Sequence, residues 1–176
     1  MRAFSSRRLL ACIGLALLGC RGARPRPDPA LSSATRFVEA FYAWYVPVAL
    51  KGRGLQVATG DSAALFAPAL VSALRADGEA QAKNPDEIVG LDGDPFLDAQ
   101  DFCEAYHAGV ARREGASLLV DVHGTCTRHT DGQPDVVAEL SGRDSAWTFV
   151  NFRYPGRASD LLKDLDELRR EREAKR

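Results

Sequence analysis

Ala146-Trp147-Thr148-Phe149-Val150-Asn151-Phe152-Arg153-Tyr154 is the stretch that decides the fold. β-Branched and aromatic residues dominate it, and no Gly or Pro interrupts it, so it reads as a strand. Strict alternation places Trp147, Phe149, Asn151 and Arg153 on one side and Thr148, Val150, Phe152 and Tyr154 on the other. Aromatics then fall on both sides. The strand is expected to be central, or to face helices on one side.

The neighbouring sequence extends the pattern. Gly142-Arg143-Asp144 is short enough to close a hairpin onto a preceding strand whose Val136, Ala138 and Leu140 share a face. Further back, Leu118, Val120, Val122 and Gly124 share the face of another strand. Residues 105–112 and 117–127 read as a hairpin around Arg113-Glu114-Gly115-Ala116. With a four-residue loop, that register sets Cys103 opposite Cys126. Facing positions lie about 4.5–5.5 Å apart between Cα atoms, within disulfide range. A bulge, with Gly109 as the candidate, would shift the register and weaken this argument. Cys103, His107, His123, Cys126 and His129 can also be drawn as a zinc set. Positions 123 and 126 point to opposite faces of a strand, however, and a disulfide removes the thiolates that zinc needs.

Helical periodicity flanks the strands. Phe37, Phe41, Trp44, Tyr45 and Val48 recur at helical spacing behind the N-cap candidates Ser32 and Ser33. Pro47 is expected to kink or end that helix, and Lys51–Gly54 to be a loop. Asp61 can cap a second helical stretch with the stripe Leu65, Phe66, Ala69, Leu70, Ala73 and Leu74. Pro68 splits it, and it ends near Asp77-Gly78. Ser159 caps a last helix that buries Leu161, Leu162, Leu165 and Leu168. The charged segment Arg169–Arg176 is expected to fray into solvent. Helices, about four antiparallel strands, then a helix make an α+β plan, with a curved sheet wrapped around the aromatic first helix.

Residues 77–104 carry nine acids against one Lys83. Long loops in compact domains are commonly functional, so Asp92, Asp94, Asp98 and Asp101 form the candidate binding loop. A hard cation takes six to eight oxygens, but Pro95-Phe96 stand where an EF-hand loop needs its third ligand and glycine. Turn and cap chemistry explains the same residues: Asp92-Gly93 as a turn, Asp94 as a cap before Pro95. Asp98 and Asp101 would then share one face of a short helix, within reach of Arg112 or Arg153. No metal and no cofactor is expected, and no nucleophile elbow, phosphate loop or His-Glu-x-x-His occurs.

The N-terminus reads as an address. Arg2, Arg7 and Arg8 precede an apolar run from Leu9 to Leu18, too short for the roughly 20 residues that span a bilayer. Leu17-Leu18-Gly19-Cys20 closes it and resembles a bacterial lipobox. That resemblance implies cleavage of residues 1–19 and lipidation of Cys20, with several acyl chains holding the protein stably. Arg21 after the cysteine, rather than Asp, resembles an outer-membrane address facing the periplasm. The remaining 157 residues have the length of one domain. They carry 20 basic against 24 acidic residues, a formal charge of −4, which argues against nucleic-acid binding. Residues 20–32 are expected to be an Arg/Pro-rich, semi-rigid tether, residues 33–170 the domain, and 171–176 a charged tail.

Three motifs carry a wider resemblance: Phe41-Tyr42-Ala43-Trp44-Tyr45, Leu91-Asp92-Gly93-Asp94-Pro95-Phe96-Leu97-Asp98-Ala99-Gln100-Asp101, and Trp147 to Tyr154 before a Leu-rich last helix. Together, over residues 33–168, they resemble a family of bacterial envelope lipoproteins catalogued as a domain of unknown function, the YbjP/YqhG type. The resemblance implies a nuclear-transport-factor-2-like cone and carries no catalytic residues. The expected function is a non-enzymatic envelope lipoprotein that binds a protein partner or small ligand. The alternatives are a small periplasmic enzyme using the cone pocket, or an immunity protein against a periplasmic toxin.

Overall fold

The computed structural model describes residues 28–126, 132–143 and 146–175. The lipobox with Cys20, most of the tether, and His129 lie outside these residues.

The chain is α+β. Three helices, α1 (Pro29–Ala49), α2 (Gly54–Thr59) and α3 (Pro68–Ala82), precede the antiparallel strands β1 (Tyr106–Glu114), β2 (Ser117–Gly124), β3 (Val136–Arg143) and β4 (Ala146–Tyr154). A two-residue strand β5 (Ser159–Asp160) leads into α4 (Leu161–Ala174). The sheet is a meander in the order β1-β2-β3-β4-β5, so each strand pairs with its sequence neighbour and no crossover is needed.

Helix starts differ from expectation in an instructive way. α1 is capped by Asp28, whose Oδ1 accepts from Ala30 N at 2.9 Å, with Pro29 in the first turn. Asp28 before a proline outcompetes Ser32 and Ser33, because the proline surrenders no intrahelical hydrogen bond there. The last part of the expected tether is therefore helical. Pro47 lies in the final turn, and the helix stops at Ala49. α4 is capped by Asp160, which accepts from Lys163 N, rather than by Ser159. α2 starts at Gly54, the last residue of the expected loop, and continues through residues for which no element is expected. It can cross α1 closely because Gly54 has no side chain: a Cβ there would stand 2.6 Å from the Tyr45 hydroxyl and 2.9 Å from Ala49 Cβ.

Two bulges set the faces of the sheet. The β1–β2 turn has two residues, Gly115-Ala116, not four, and the register shifts between Ala108 and Ala111. On β4, Leu140 pairs with Phe149 while Glu139 pairs with Asn151, which leaves Val150 as the extra residue. An extra residue reverses the alternation beyond it. Trp147 and Phe149 therefore share one face with Phe152 and Tyr154, and all four are buried. The expectation of aromatics on both sides is corrected by that single residue.

α1 packs on this inner face. Phe41 stacks on Tyr45 at 4.9 Å and meets Phe149 at 4.7 Å. Phe66, from the segment before α3, stacks on Phe96 at 5.1 Å and on Phe149 at 5.4 Å. Each such pair adds about 0.5–1.5 kcal/mol beyond area burial. The space between sheet and helices is filled with rings. On the outer face, Leu119 and Val137 are also buried, flanked in the ladder by Arg112, Asp121, Glu139 and Arg153. Long charged side chains cover apolar surface with their stems while their heads stay wet. Here the heads pair: Arg112 with Asp121, and Arg153 with Glu114 and Glu139 at 2.6 and 2.9 Å.

Candidate functional site

The acidic loop runs from Lys83 to Ala105, between α3 and β1, and its backbone is held by side chains from the rest of the fold. Gln81 at the end of α3 spans its first part: Nε2 donates to the carbonyls of Asn84 and Glu87, and Oε1 accepts from Val89 N and Gly90 N. Asp77 Oδ2 accepts from Leu91 N at 2.9 Å. The centre is held by three tyrosines. Tyr42 donates to Phe96 O at 2.7 Å, Tyr154 to Pro95 O at 2.7 Å, and Tyr45 to Asp94 Oδ2 at 2.6 Å. Pro95, Phe96 and Leu97 are buried beneath this turn. The Tyr42 and Tyr154 hydroxyls supply the partners that buried carbonyls require, and the Tyr45 hydroxyl supplies one for the Asp94 carboxylate. The aromatic face of α1 therefore acts through both its rings and its phenols.

The loop's far end is closed by the disulfide Cys103–Cys126, with Cα atoms 5.4 Å apart. The expected partners are right, although the expected register is not. Two-residue turn geometry, the bulge at Gly109-Val110 and a further one-residue offset beyond Tyr106↔Gly124 together restore the pairing.

The four loop aspartates do not converge on one point. Asp92 is exposed and accepts from Gln100 Nε2 at 2.8 Å. Asp94 points inward, with Oδ1 on Phe96 N and Oδ2 on the Tyr45 hydroxyl. Burial pushes its carboxyl above the ordinary value, partly offset by those hydrogen bonds. Asp98 has φ of 50° and accepts from Arg157 Nη2 at 2.7 Å. Asp101 is exposed. The expected short helix over Asp98 and Asp101 is not formed. The backbone bridge Asp94↔Ala99 closes a turn instead, and the partner of Asp98 is Arg157 rather than Arg112 or Arg153. Among the described residues no group of three or more His, Cys, Asp or Glu is arranged to hold a metal ion.

Loop and last helix together form a cleft of about 530 Å³, between residues 90–100 and α4. Leu91, Pro95, Tyr154 and Leu168 give it apolar surface; Asp92, Asp98, Asp164, Glu167 and Glu171 give it negative charge. Arg157 sits within it, 4.4 Å over the Tyr154 ring, and bridges Asp98 and Asp164. Its guanidinium is held above the ordinary value, first by the Asp98 hydrogen bond. Arg157, Asp164 and Tyr154 are residues that sequence reading missed as parts of this site. Positive charge so close to the acidic loop in space, but 59 positions away in the chain, leaves no local pattern.

One pair of charges lies deeper. Asp77 is buried, and Arg172 Nη1 reaches both its Oδ1 and Val89 O at 2.7 Å. The segment after Arg169 thus stays helical to Ala174 and is docked, where fraying is expected from its composition. Comparison of the chain with protein-family models, curated proteins and solved structures finds no match in any of the three.

Proposed function

We propose that the chain is a non-enzymatic lipoprotein of the bacterial cell envelope. In this reading it is attached through Cys20 to the outer membrane, facing the periplasm, and binds an envelope protein or small ligand with the cleft between the acidic loop and α4. The observation that carries the binding reading is the filled interior. Phe41, Phe66, Phe96, Phe149 and Phe152 occupy the space where a cone-shaped fold would enclose a substrate pocket. Recognition then falls to the outer surface, where the cleft combines apolar area with negative charge. The Cys103–Cys126 disulfide supports an oxidising compartment, and the lipobox supports the anchor. A basic toxin domain captured in the same cleft is the immunity version of this reading.

The test uses the full chain in a Gram-negative host, with photocrosslinkers at Asp92 and Glu167 on the cleft rim and at Thr148 away from it. Palmitate labelling and membrane fractionation are expected for the parent and lost in Cys20→Ala. A discrete crosslinked partner is expected from the rim positions alone. A soluble, unlabelled parent overturns the anchor; equal crosslinking from all three positions overturns the cleft.

A further inference from the structure

The outer face of β1 and β2 presents a histidine pair. His107 and His123 are direct partners across the ladder, so their Cβ atoms are about 4.5–5.5 Å apart on one face. Two neighbours shape the pair. The first is Gly109, two residues along β1. A Cβ at Gly109 would stand 2.9 Å from both Cδ2 and Nε2 of His123. The His123 ring therefore leans across β1 into the space over Gly109 that only glycine leaves open.

The second neighbour is Glu39 of α1. Its Oε2 accepts from Ala108 N at 2.6 Å, which fixes the carboxylate against the edge of β1. Its Oε1 lies 3.2 Å from His107 Nδ1. A carboxylate there selects the tautomer with hydrogen on Nδ1 and leaves the lone pair on Nε2. Metal-binding histidines are oriented by this carboxylate–imidazole contact. Capping the edge strand explains the bond to Ala108, but not the contact with the imidazole or the open space at Gly109.

We infer that His107 and His123 chelate a divalent late transition-metal ion, with Glu39 as a positioning residue. Imidazole is a borderline donor suited to Zn²⁺, Ni²⁺ and Cu²⁺ rather than to Ca²⁺ or Mg²⁺. Zinc–nitrogen bonds of about 2.0–2.1 Å in a tetrahedral site place two donors roughly 3.3 Å apart. Directly opposed strand positions bring two imidazoles within reach of one ion, and of the pair His107 is exposed and His123 half-buried. Water or a partner's side chain completes the coordination. Cys103 and Cys126 are consumed by their disulfide and do not compete for the ion. This site is separate from the acidic cleft and does not depend on the proposed function.

The test is equilibrium dialysis of the full chain in detergent against Zn²⁺ alone, with the histidine ring signals followed by NMR. One ion per chain is expected, moving the signals of His107 and His123 together. Binding is expected to vanish in His107→Ala and His123→Ala and to persist in His129→Ala. Glu39→Gln is expected to weaken it about 10–100-fold. Gly109→Ala, which displaces the His123 ring, is expected to weaken it with little change in melting temperature. Retained affinity in His123→Ala, loss in His129→Ala alone, or no binding by the parent overturns the inference.

Discussion

Replacing Arg172 with methionine tests the least anticipated contact of the fold. Asp77 is only 4% exposed, and it is the buried charged residue among those described. Its Oδ1 receives the guanidinium at 2.7 Å and its Oδ2 receives Leu91 N at 2.9 Å. Without Arg172, one oxygen of a buried carboxylate loses its partner, and Val89 O loses its donor as well. Breaking a buried pair from one side costs about 3–5 kcal/mol. The Arg172 side chain is 18% exposed, so water can partly replace it, and the lower end, about 3 kcal/mol, applies. In a domain of this size that corresponds to a fall of roughly 6–12 °C in melting temperature. Asp77→Leu combined with Arg172→Met removes both charges and is expected to recover most of the loss. Urea titration monitored by near-ultraviolet circular dichroism measures all three variants. Arg172→Met within about 0.5 kcal/mol of the parent would refute the docking of the last turn. A double variant no better than the single one would refute charge pairing as its cause.

Other outcomes follow from the same structure. Cys103→Ser with Cys126→Ser opens a loop with a sequence separation of 23; chain entropy sets the loss near 3 kcal/mol, read as a shift in urea midpoint. Phe149→Ala removes the ring at the centre of the aromatic cluster and is expected to cost about 3–5 kcal/mol, measured the same way. Asp94 has its carboxyl raised above 3.8 in the fold, so the folded state holds its proton longer than the unfolded chain. Stability from this group is therefore present below about pH 4, declines as pH rises through the raised folded value, and is level beyond it. Asp94→Asn is expected to flatten that part of the pH–stability curve, and an unchanged slope would count against it.

The strands and the main helices were legible because their patterns are local. Alternation marks β2 and β3, and the Phe37–Val48 stripe marks α1. The disulfide partners were legible from hairpin symmetry, although two errors of register compensated. What was hidden depends on a single residue or on distance. Val150 occupies one position in β4, and nothing in its identity announces a bulge, yet it decides which face Phe152 and Tyr154 take. The acidic loop was recognisable as unusual, but Asp94 and Asp98 find their partners in α1 and before α4. Charge density alone cannot separate an aspartate turned inward to a phenol from one offered to a ligand. The charged C-terminus looked solvated because composition reports the average environment of a segment, and one arginine facing a buried carboxylate departs from that average.

α1 also works as a spacer. From Pro29 to Tyr45 it advances 16 residues, roughly 24 Å at helical rise. Its first turn meets the β1–β2 hairpin through Asp28 and Arg113, while Tyr45 grips Asp94 at the rim of the cleft. In a chain fastened by its N-terminus, the hairpin turn becomes the foot of the domain and the cleft its outboard end. The cleft would then stand roughly 24 Å further from the point of attachment than the first turn of α1 does.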